Sequence, residues 1–259
     1  MIVPREATEA RGYAAMDTSP RTRPSHRPFS EAVLAARERG RVALVADIKA
    51  LSPRDGDLLR GRRPAHLARE LEAAGACALS VVTEAEAYGG SIELLRQVAA
   101  ATELAVLRKD FFTTPAQVEE SARAGARAVL LVLASLGQEL AAELHAAARS
   151  QGLEAVVEVH TRAELDRALA LEPTCVGINN RSILELERDA GDVATTEALA
   201  PRVPPGIVVL SESSIAQPDH VRRALAAGAH GVLVGTALLA APDPGAAVAR
   251  LTGAQGEAP

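Results

Sequence analysis

The sequence predicts a (β/α)8 barrel, and two regular patterns lead to this fold class. Eight apolar runs are spaced along the chain, at 42–48, 77–82, 104–109, 128–133, 154–159, 174–179, 206–211 and 230–235. Amphipathic helical stretches follow them, at roughly 64–75, 91–101, 115–124, 137–150, 161–171, 192–201, 217–227 and 243–251. A strand-plus-helix unit that repeats eight times, roughly every 25–30 residues, is typical of this barrel.

Residues that begin and end helices support the same boundaries. Several stretches start with a helix-start residue, namely Pro64, Ser91, Pro115, Thr161 and Pro218. Others end in Ala-Gly-Ala around Gly75, Gly125 and Gly228, where glycine suits a left-handed helix end. A doubly wound open sheet is the competing architecture. It normally has fewer units and a glycine-rich first turn, and no such turn follows the first apolar run.

The two ends of the chain are predicted to lie outside the barrel. Residues 1–28 are rich in Arg, Pro, Ser and Thr and lack a sustained apolar period, which predicts a flexible leader. A short helix is expected at Phe29–Arg39, with Ser30 as its cap. We therefore expect a single barrel domain over 29–253, including this helix, and a tail at 254–259.

Composition narrows the classes of function. The chain has 259 residues, of which 48% are hydrophobic and 2% aromatic, so we expect an aliphatic core. Its formal charge of -5 argues against nucleic acid or an anionic membrane as a partner. No run of 18 apolar residues and no signal-peptide pattern is visible, so a soluble, cytoplasmic protein is expected. Cys77 and Cys175 are interpreted as buried thiols, and no metal or organic cofactor is predicted.

Polar residues follow the predicted strands at the ends that carry chemistry in such barrels. They are Asp47, Lys49, Lys109, Glu158, Asn179 and Arg181. Arg108 and Asp110 are expected to point away from the mouth, and His160 is interpreted as structural. Taken singly, each of the six is more often a paired or solvated strand end. Together they indicate a site, because charges that converge on one mouth perturb one another. After the last two strands, Ser213, Ser214, Gly235 and Thr236 suit a phosphate.

The motifs occur in a recognisable order: A-D-I-K-A-L-S-P, L-S-V-V-T-E, G-G-S, L-R-K-D-F, V-E-V-H, G-I-N-N-R, S-E-S-S-I and V-G-T-A-L. Over Phe29–Gly253 this order and spacing resemble the indole-3-glycerol phosphate synthase family of tryptophan biosynthesis. The resemblance implies ring closure of 1-(2-carboxyphenylamino)-1-deoxyribulose 5-phosphate with loss of CO₂ and water. It also implies that the short N-terminal helix packs over the barrel mouth. The implied partner is a small phosphorylated substrate, and the protein is expected to be a monomer or a weak homodimer.

The same resemblance implies roles for individual residues. Lys109 would be the general acid and Glu158 the general base, with Asp47, Lys49 and Asn179 completing the catalytic group. Phosphate would be bound by Ser213, Ser214, Gly235 and Thr236. Substrate contacts would come from Ser52, Phe111, Leu131, Arg181 and Glu212, with Tyr88 as a further neighbour of the aryl ring.

Two positions depart from the family pattern. The family has Glu where this chain has Asp47, which withdraws the carboxylate by roughly 1–1.5 Å, a misplacement that can cost about 10²-fold in rate. The family has Gly where this chain has Ser214, which is strained if the position needs a positive φ. Three alternatives therefore remain: a pathway-dedicated paralogue with a modified substrate, a related sugar-phosphate isomerase, and a phosphate-binding barrel with reduced or lost catalysis.

Overall fold

The computed structural model describes residues 28–181 and 192–253. Eight parallel strands form a closed barrel: β1 Leu44–Ile48, β2 Ala78–Val82, β3 Val106–Lys109, β4 Ala128–Val132, β5 Glu154–Val159, β6 Cys175–Asn179, β7 Val208–Glu212 and β8 Gly231–Val234. Each strand pairs with its neighbours in chain order, and β1 also pairs with β8, which closes the ring. The predicted (β/α)8 barrel is confirmed.

The helices lie between the strands, as the sequence predicts. They are α1 Phe29–Glu38, α2 Pro64–Ala73, α3 Ile92–Ala101, α4 Pro115–Ala124, α5 Gln138–Ser150, α6 Arg162–Leu169, α7 Ala194–Leu199, α8 Pro218–Ala226, α9 Thr236–Leu239 and α10 Pro244–Thr252. A hairpin of Leu51–Ser52 and Gly56–Asp57 lies in the loop after β1. The hairpin and α9 were not predicted, because elements this short carry no detectable period.

The predicted leader and the predicted tail lie almost entirely outside the residues that the structure describes. Residues 1–27 of the predicted leader and the whole predicted tail, 254–259, lie outside the described residues. Within the part of the chain that the structure describes, no helix combines the length and apolar character needed to cross a membrane.

Alternation along the strands divides the apolar side chains into two layers. In β4, Leu131 belongs to the layer between the sheet and the helices, whereas Leu130 and Val132 belong to the layer inside the barrel. Both cysteines are buried in the inner layer, as predicted, and burial raises the pKa of the Cys77 thiol to about 12. The barrel interior is thus filled by aliphatic side chains up to the level of the mouth.

The N-terminal helix is present, but it lies at the opposite end of the barrel from the mouth. The backbone N–H and the hydroxyl of Ser30 donate hydrogen bonds to the Glu154 carboxylate, at 2.7 and 2.5 Å. The Arg37 guanidinium donates to the backbone oxygen of Ala229 at 2.9 Å. Glu154 begins β5 and Ala229 precedes β8, so both mark amino-terminal strand ends. The expectation that this helix covers the mouth is therefore wrong.

The physical reason is the apolar face of α1. Phe29 and Val33 are fully buried and pack with the inner barrel layer, so the helix closes the barrel at its amino-terminal end. The expected helix cap is also corrected. Pro28 occupies the N-cap position, and Ser30 lies one residue inside the helix, where its polar groups are used to bind Glu154.

Candidate active site

Lys109 ends β3 and extends its ammonium into the barrel mouth. The ammonium donates a hydrogen bond to Glu212 Oε2 at 2.8 Å and lies 3.9 Å from Glu158 Oε2. Burial alone would lower the pKa of Lys109, but the carboxylates of Glu212, Glu158 and Asp47 raise it above its ordinary value. Lys109 is therefore a charged ammonium that holds a proton at neutral pH.

Glu212 is the closest partner of that ammonium and is fully buried. Burial raises the pKa of Glu212 to about 7, although Lys109 opposes the shift. The carboxylate fits only because residue 177 is glycine: a Cβ there would lie 2.1 Å from Glu212 Oε1. The Glu212 carboxylate lies against Gly177 and Lys109, and Glu212 is not among the residues that line the two lobes of the cavity described below, so its contact with substrate stays a prediction.

Glu158 is the last residue but one of β5 and is also fully buried. Within the described residues, neither carboxylate oxygen has a hydrogen-bond partner with good geometry, and the side chains that approach them are the Lys109 ammonium and the His160 ring. His160 Nε2 lies 3.4 Å from Glu158 Oε1. Both carboxylate oxygens therefore have lone pairs that no well-oriented donor of the described residues uses.

Asp47 and Lys49 come from the end of β1 and both line the cavity. The Asp47 side chain lies against Gly235, where a Cβ would be 2.9 Å from Asp47 Oδ2. Asp47 Oδ1 is buried and makes no hydrogen bond within the described part of the chain. The Lys49 ammonium lies 5.8 Å from the centroid of the Tyr88 ring, within the range of a cation–π contact.

The loop that carries Tyr88 is fixed by Glu84. The Glu84 carboxylate accepts hydrogen bonds from the backbone N–H groups of Glu86, Ala87 and Tyr88, at 2.8, 2.8 and 3.1 Å. The Tyr88 backbone oxygen in turn accepts a hydrogen bond from the N–H of Leu51. The loops after β1 and β2 are therefore joined, and Lys49 lies at their junction.

Arg108 faces away from the mouth, as predicted, and fixes the end of β3 from outside. It donates to Thr83 Oγ1 at 2.8 Å, to Ser121 Oγ at 3.1 Å and to the Asp110 carboxylate at 2.9 Å. Asp110 was also expected to point elsewhere, yet it lines the cavity. Its carboxylate is held by Arg108 and by Thr83 Oγ1, which donates to it at 2.5 Å.

The cavity above the barrel has two lobes. An apolar lobe is lined by Val82, Tyr88, Phe111, Leu130 and Val132. A polar lobe of ≈ 410 Å³ is lined by the loops after β7 and β8 and by part of the first loop. Five residues line both lobes and so lie between them: Asp47, Lys49, Lys109, Arg181 and Ser213.

The polar lobe contains the four residues predicted to bind phosphate. Ser213 and Ser214 both have a positive φ, 64° and 58°, a conformation that favours glycine. Ser214 is 8% exposed, and its hydroxyl has no hydrogen-bond partner within the described residues. The predicted strain at this position is therefore present, and the hydroxyl is available to a ligand in the lobe.

The other predicted site residues divide into three groups. Asn179, Arg181 and Phe111 line the cavity. The Ser52 hydroxyl makes turn contacts within its loop, accepting from the N–H groups of Arg54 and Asp55 at 3.3 Å. Leu131 belongs to the layer that packs against the helices, so its contact with substrate stays a prediction that this position does not support.

Several residues that line the cavity were not assigned from the sequence. In the apolar lobe they are Val82, Glu84, Leu130 and Val132, and in the polar lobe they are Arg54, Asp55 and His220. The period of two along β4 could have identified Leu130 and Val132, whereas the loop residues carry no such signal. Among residues 28–181 and 192–253, no group of three or more His, Cys, Asp or Glu side chains is arranged to hold a metal ion.

Comparison with known proteins agrees with this geometry. The family model described as Indole-3-glycerol phosphate synthase matches residues 4–251. The chain belongs to this family. Synthases of this name include one from Thermococcus kodakarensis, 46% identical over 81% of this chain and 92% of that protein. Another, from Azospirillum brasilense, is 39% identical over 93% and 91% of the two chains.

A third relative and a solved structure complete the comparison. An indole-3-glycerol phosphate synthase from Nocardioides sp. is 45% identical over 82% of this chain and 81% of that protein. A chain from a cube-shaped, porous protein cage designed by fusing symmetric oligomeric domains matches with a TM-score of 0.60 at 17% identity. It covers 81% of this chain and 70% of its own length, and it supports the fold alone. The synthase relatives favour the synthase function over the modified-substrate, isomerase and binding-only alternatives.

Proposed function

We propose that this synthase closes the indole ring of 1-(2-carboxyphenylamino)-1-deoxyribulose 5-phosphate, with loss of CO₂ and water, to give indole-3-glycerol phosphate. The observation that carries the proposal is the approach of the Lys109 ammonium to within 3.9 Å of the Glu158 carboxylate, beside the cavity. The reaction needs an acid and a base that act on one substrate, and these two groups have those properties.

Lys109 acts as the general acid in this proposal. Its raised pKa keeps it protonated at neutral pH, and its ammonium lies between the apolar and polar lobes. It protonates the substrate carbonyl oxygen as the aryl carbon attacks, so that no free alkoxide forms. After water in the cavity has protonated it again, Lys109 donates a second proton to the resulting hydroxyl group, which leaves as water. Asp47 and Glu212 contribute by keeping the ammonium charged between turnovers.

Glu158 acts as the general base. Dehydration removes a proton from the carbon next to the nitrogen, and the buried carboxylate of Glu158 receives it. The apolar lobe suits the aryl ring, which brings the reacting carbons next to Lys109 and Glu158.

Substrate charges are bound by the residues around these two groups. Arg181 and Lys49 are the cations that we propose for the substrate carboxylate, and Asn179 orients its hydroxyl groups. Ser213, Ser214, Gly235 and Thr236 form the phosphate end, where small side chains leave backbone N–H groups accessible. Both ends of the substrate are then held while the centre reacts, which supplies the orientation that ring closure needs.

We also propose that the protein is a cytoplasmic monomer or weak homodimer. Among the described residues, Leu34 and Leu51 are the exposed large hydrophobic side chains, at 37% and 40%, and they belong to different ends of the barrel. Such isolated side chains do not make the apolar patch that a permanent interface needs. Light scattering after size-exclusion chromatography over a range of concentrations measures the state directly.

The experiment that tests the activity is turnover of the synthetic substrate, followed by the fluorescence of the indole product and by CO₂ release. We expect both signals to rise together, and we expect Glu158→Gln to lose most of the rate. A second set of substrates, aminoaldose phosphates without the aryl group, should give no turnover. A folded protein that binds the aryl substrate without releasing CO₂ would reject the proposal.

A further inference from the structure

A row of three side chains connects the buried Glu158 to the rim of the barrel. His160 Nε2 lies 3.4 Å from Glu158 Oε1, and His160 Nδ1 lies 3.2 Å from Glu164 Oε2. The exposed fraction of the side chain rises along the row, from 0% for Glu158 through 12% for His160 to 16% for Glu164. We propose that His160 relays protons between Glu158 and Glu164, so that Glu158 is ionised again after each turnover.

The hydrogen-bonding capacity of the ring supports a relay. Both ring nitrogens face a carboxylate oxygen, so a neutral ring always turns one lone pair toward a carboxylate. Moving a proton from Glu158 to Nε2, with release of the Nδ1 proton to Glu164, exchanges one such arrangement for the other. His160 Nε2 and both Glu158 oxygens are also buried without a well-oriented hydrogen bond among the described residues. His160 Nε2 and Glu158 are thus able to form a hydrogen bond with each other when Glu158 gains a proton.

Glu164 holds the ring in place for this transfer. Its Oε2 accepts a hydrogen bond from the His160 backbone N–H at 2.7 Å, in addition to the contact with Nδ1. Glu164 lies in the first turn of α6, where the Thr161 hydroxyl accepts from its backbone N–H at 3.2 Å. The start of α6 and the end of β5 therefore fix the ring against Glu158.

The relay deepens the proposed function and rests on it. During dehydration Glu158 gains one proton from the substrate carbon and becomes a neutral acid. It gives that proton to Nε2 as Nδ1–H is transferred to Glu164, and Glu164 releases it to water at the rim. After product release the ring loses the Nε2 proton to water in the emptied cavity and takes up another at Nδ1, which restores the starting tautomer. Lys109 faces the cavity, with 17% of its side chain exposed, and regains its own protons from water there. Glu158 has no such exposure, so a separate route is needed while the cavity is occupied.

Rapid-mixing kinetics of His160→Ala tests the relay. The first turnover should proceed at the wild-type rate, because the relay acts only after Glu158 has taken up a proton. Later turnovers should slow by roughly 10²-fold, the lower end of the range for general acid–base groups. Added imidazole should restore the later turnovers, and formate should not. Glu164→Gln should show the same burst with a smaller loss, whereas Arg162→Ala, whose side chain pairs with Asp166 on the surface, is the matched control. First and later turnovers that slow equally without rescue, or that both stay at the wild-type rate, would overturn the relay.

A measurement without turnover separates the relay from the proposed function. The ¹⁵N resonances of the His160 ring should respond at Nε2 to Glu158→Gln and at Nδ1 to Glu164→Gln, with assignment by their loss in His160→Gln. If wild-type protein shows these couplings but no turnover, the proposed function is wrong and the contacts of the relay stand. If turnover is normal and neither substitution changes the ¹⁵N resonances of the His160 ring, the relay alone is wrong.

Discussion

The Lys109 ammonium donates a 2.8 Å hydrogen bond to Glu212, although β3 and β7 lie opposite each other in the eight-stranded ring. One cation therefore joins two sides of the barrel at the level of the mouth. The same ammonium approaches Glu158 of β5, so the acid, the base and a buried carboxylate share one charge cluster. Changes at any of these residues should alter both stability and chemistry.

The pH dependence of the unfolding free energy should reflect the raised pKa of Glu212. Its pKa is about 7 in the folded protein, above its ordinary value, so the folded state holds a proton that the unfolded state has lost. The resulting stabilisation is complete below the unfolded pKa and is lost as the pH rises toward about 7. We expect the unfolding free energy of wild type relative to Glu212→Gln to fall between pH 5 and pH 7, by at most about 1.4 kcal/mol per pH unit, and to level off above that range. Urea unfolding at several pH values measures this difference, and a flat or rising difference would contradict it.

Substitution of Gly177 should displace Glu212. A Cβ at this position would lie 2.1 Å from Glu212 Oε1, in a buried part of the barrel. We expect Gly177→Ala to lose roughly 1–3 kcal/mol of stability through overpacking and to lower kcat by displacing the partner of Lys109. Gly137→Ala is the control, because nothing lies within 4 Å of a Cβ there. Thermal unfolding and steady-state rates check both variants, and equal effects of the two would refute the packing argument.

Asp47→Glu should raise the rate. The Asp47 side chain borders both lobes of the cavity, so one more methylene extends into open space and not into packed protein. We expect stability to change by less than about 1 kcal/mol and kcat/KM to increase by up to about 10²-fold, the scale of a 1 Å correction. Steady-state kinetics with the unsubstituted substrate is the measurement. A clear decrease in kcat/KM would mean that the pocket is built around the shorter carboxylate.

Ser214→Gly should separate strain from binding. The φ of 58° at Ser214 costs a non-glycine residue about 1–2 kcal/mol, part of which the entropy of glycine offsets, so we expect a gain of up to about 1 kcal/mol. Loss of the hydroxyl should raise KM by roughly 10-fold, as for a hydrogen bond to a charged group. Glu172→Gly is the matched control, since Glu172 is exposed and also has a positive φ, 52°. The idea fails if KM rises equally in both variants or in neither.

The fold could be predicted from the sequence because every level of the pattern agreed. The apolar runs, the helix-start residues and the glycines at helix ends all repeat with the same spacing. The helices and the closed barrel are both predicted from that spacing. The position of α1 could not be predicted, because it depends on a contact between Ser30 and Glu154, 124 residues apart. Local sequence identifies the helix but not the end of the barrel that it covers.

The site was predictable in part for a related physical reason. Strand-end charges such as Lys109 and Glu158 stand out against apolar runs, so their convergence follows from the fold. The face on which Leu131 lies could not be predicted, because β4 is apolar on both sides and its sequence does not show which side chains point into the barrel. His160 was interpreted as structural because its partners, Glu158 and Glu164, become visible only when distances are known.

The kcat of Lys109→Met is the most direct test of the claim that this ammonium is the acid beside Glu158. Met keeps the length of the side chain and removes the proton, and circular dichroism with cooperative unfolding establishes that the barrel is intact. We predict a loss of at least about 10²-fold in kcat for the folded variant. A folded Lys109→Met protein that turns over the substrate at close to the wild-type rate would contradict the claim.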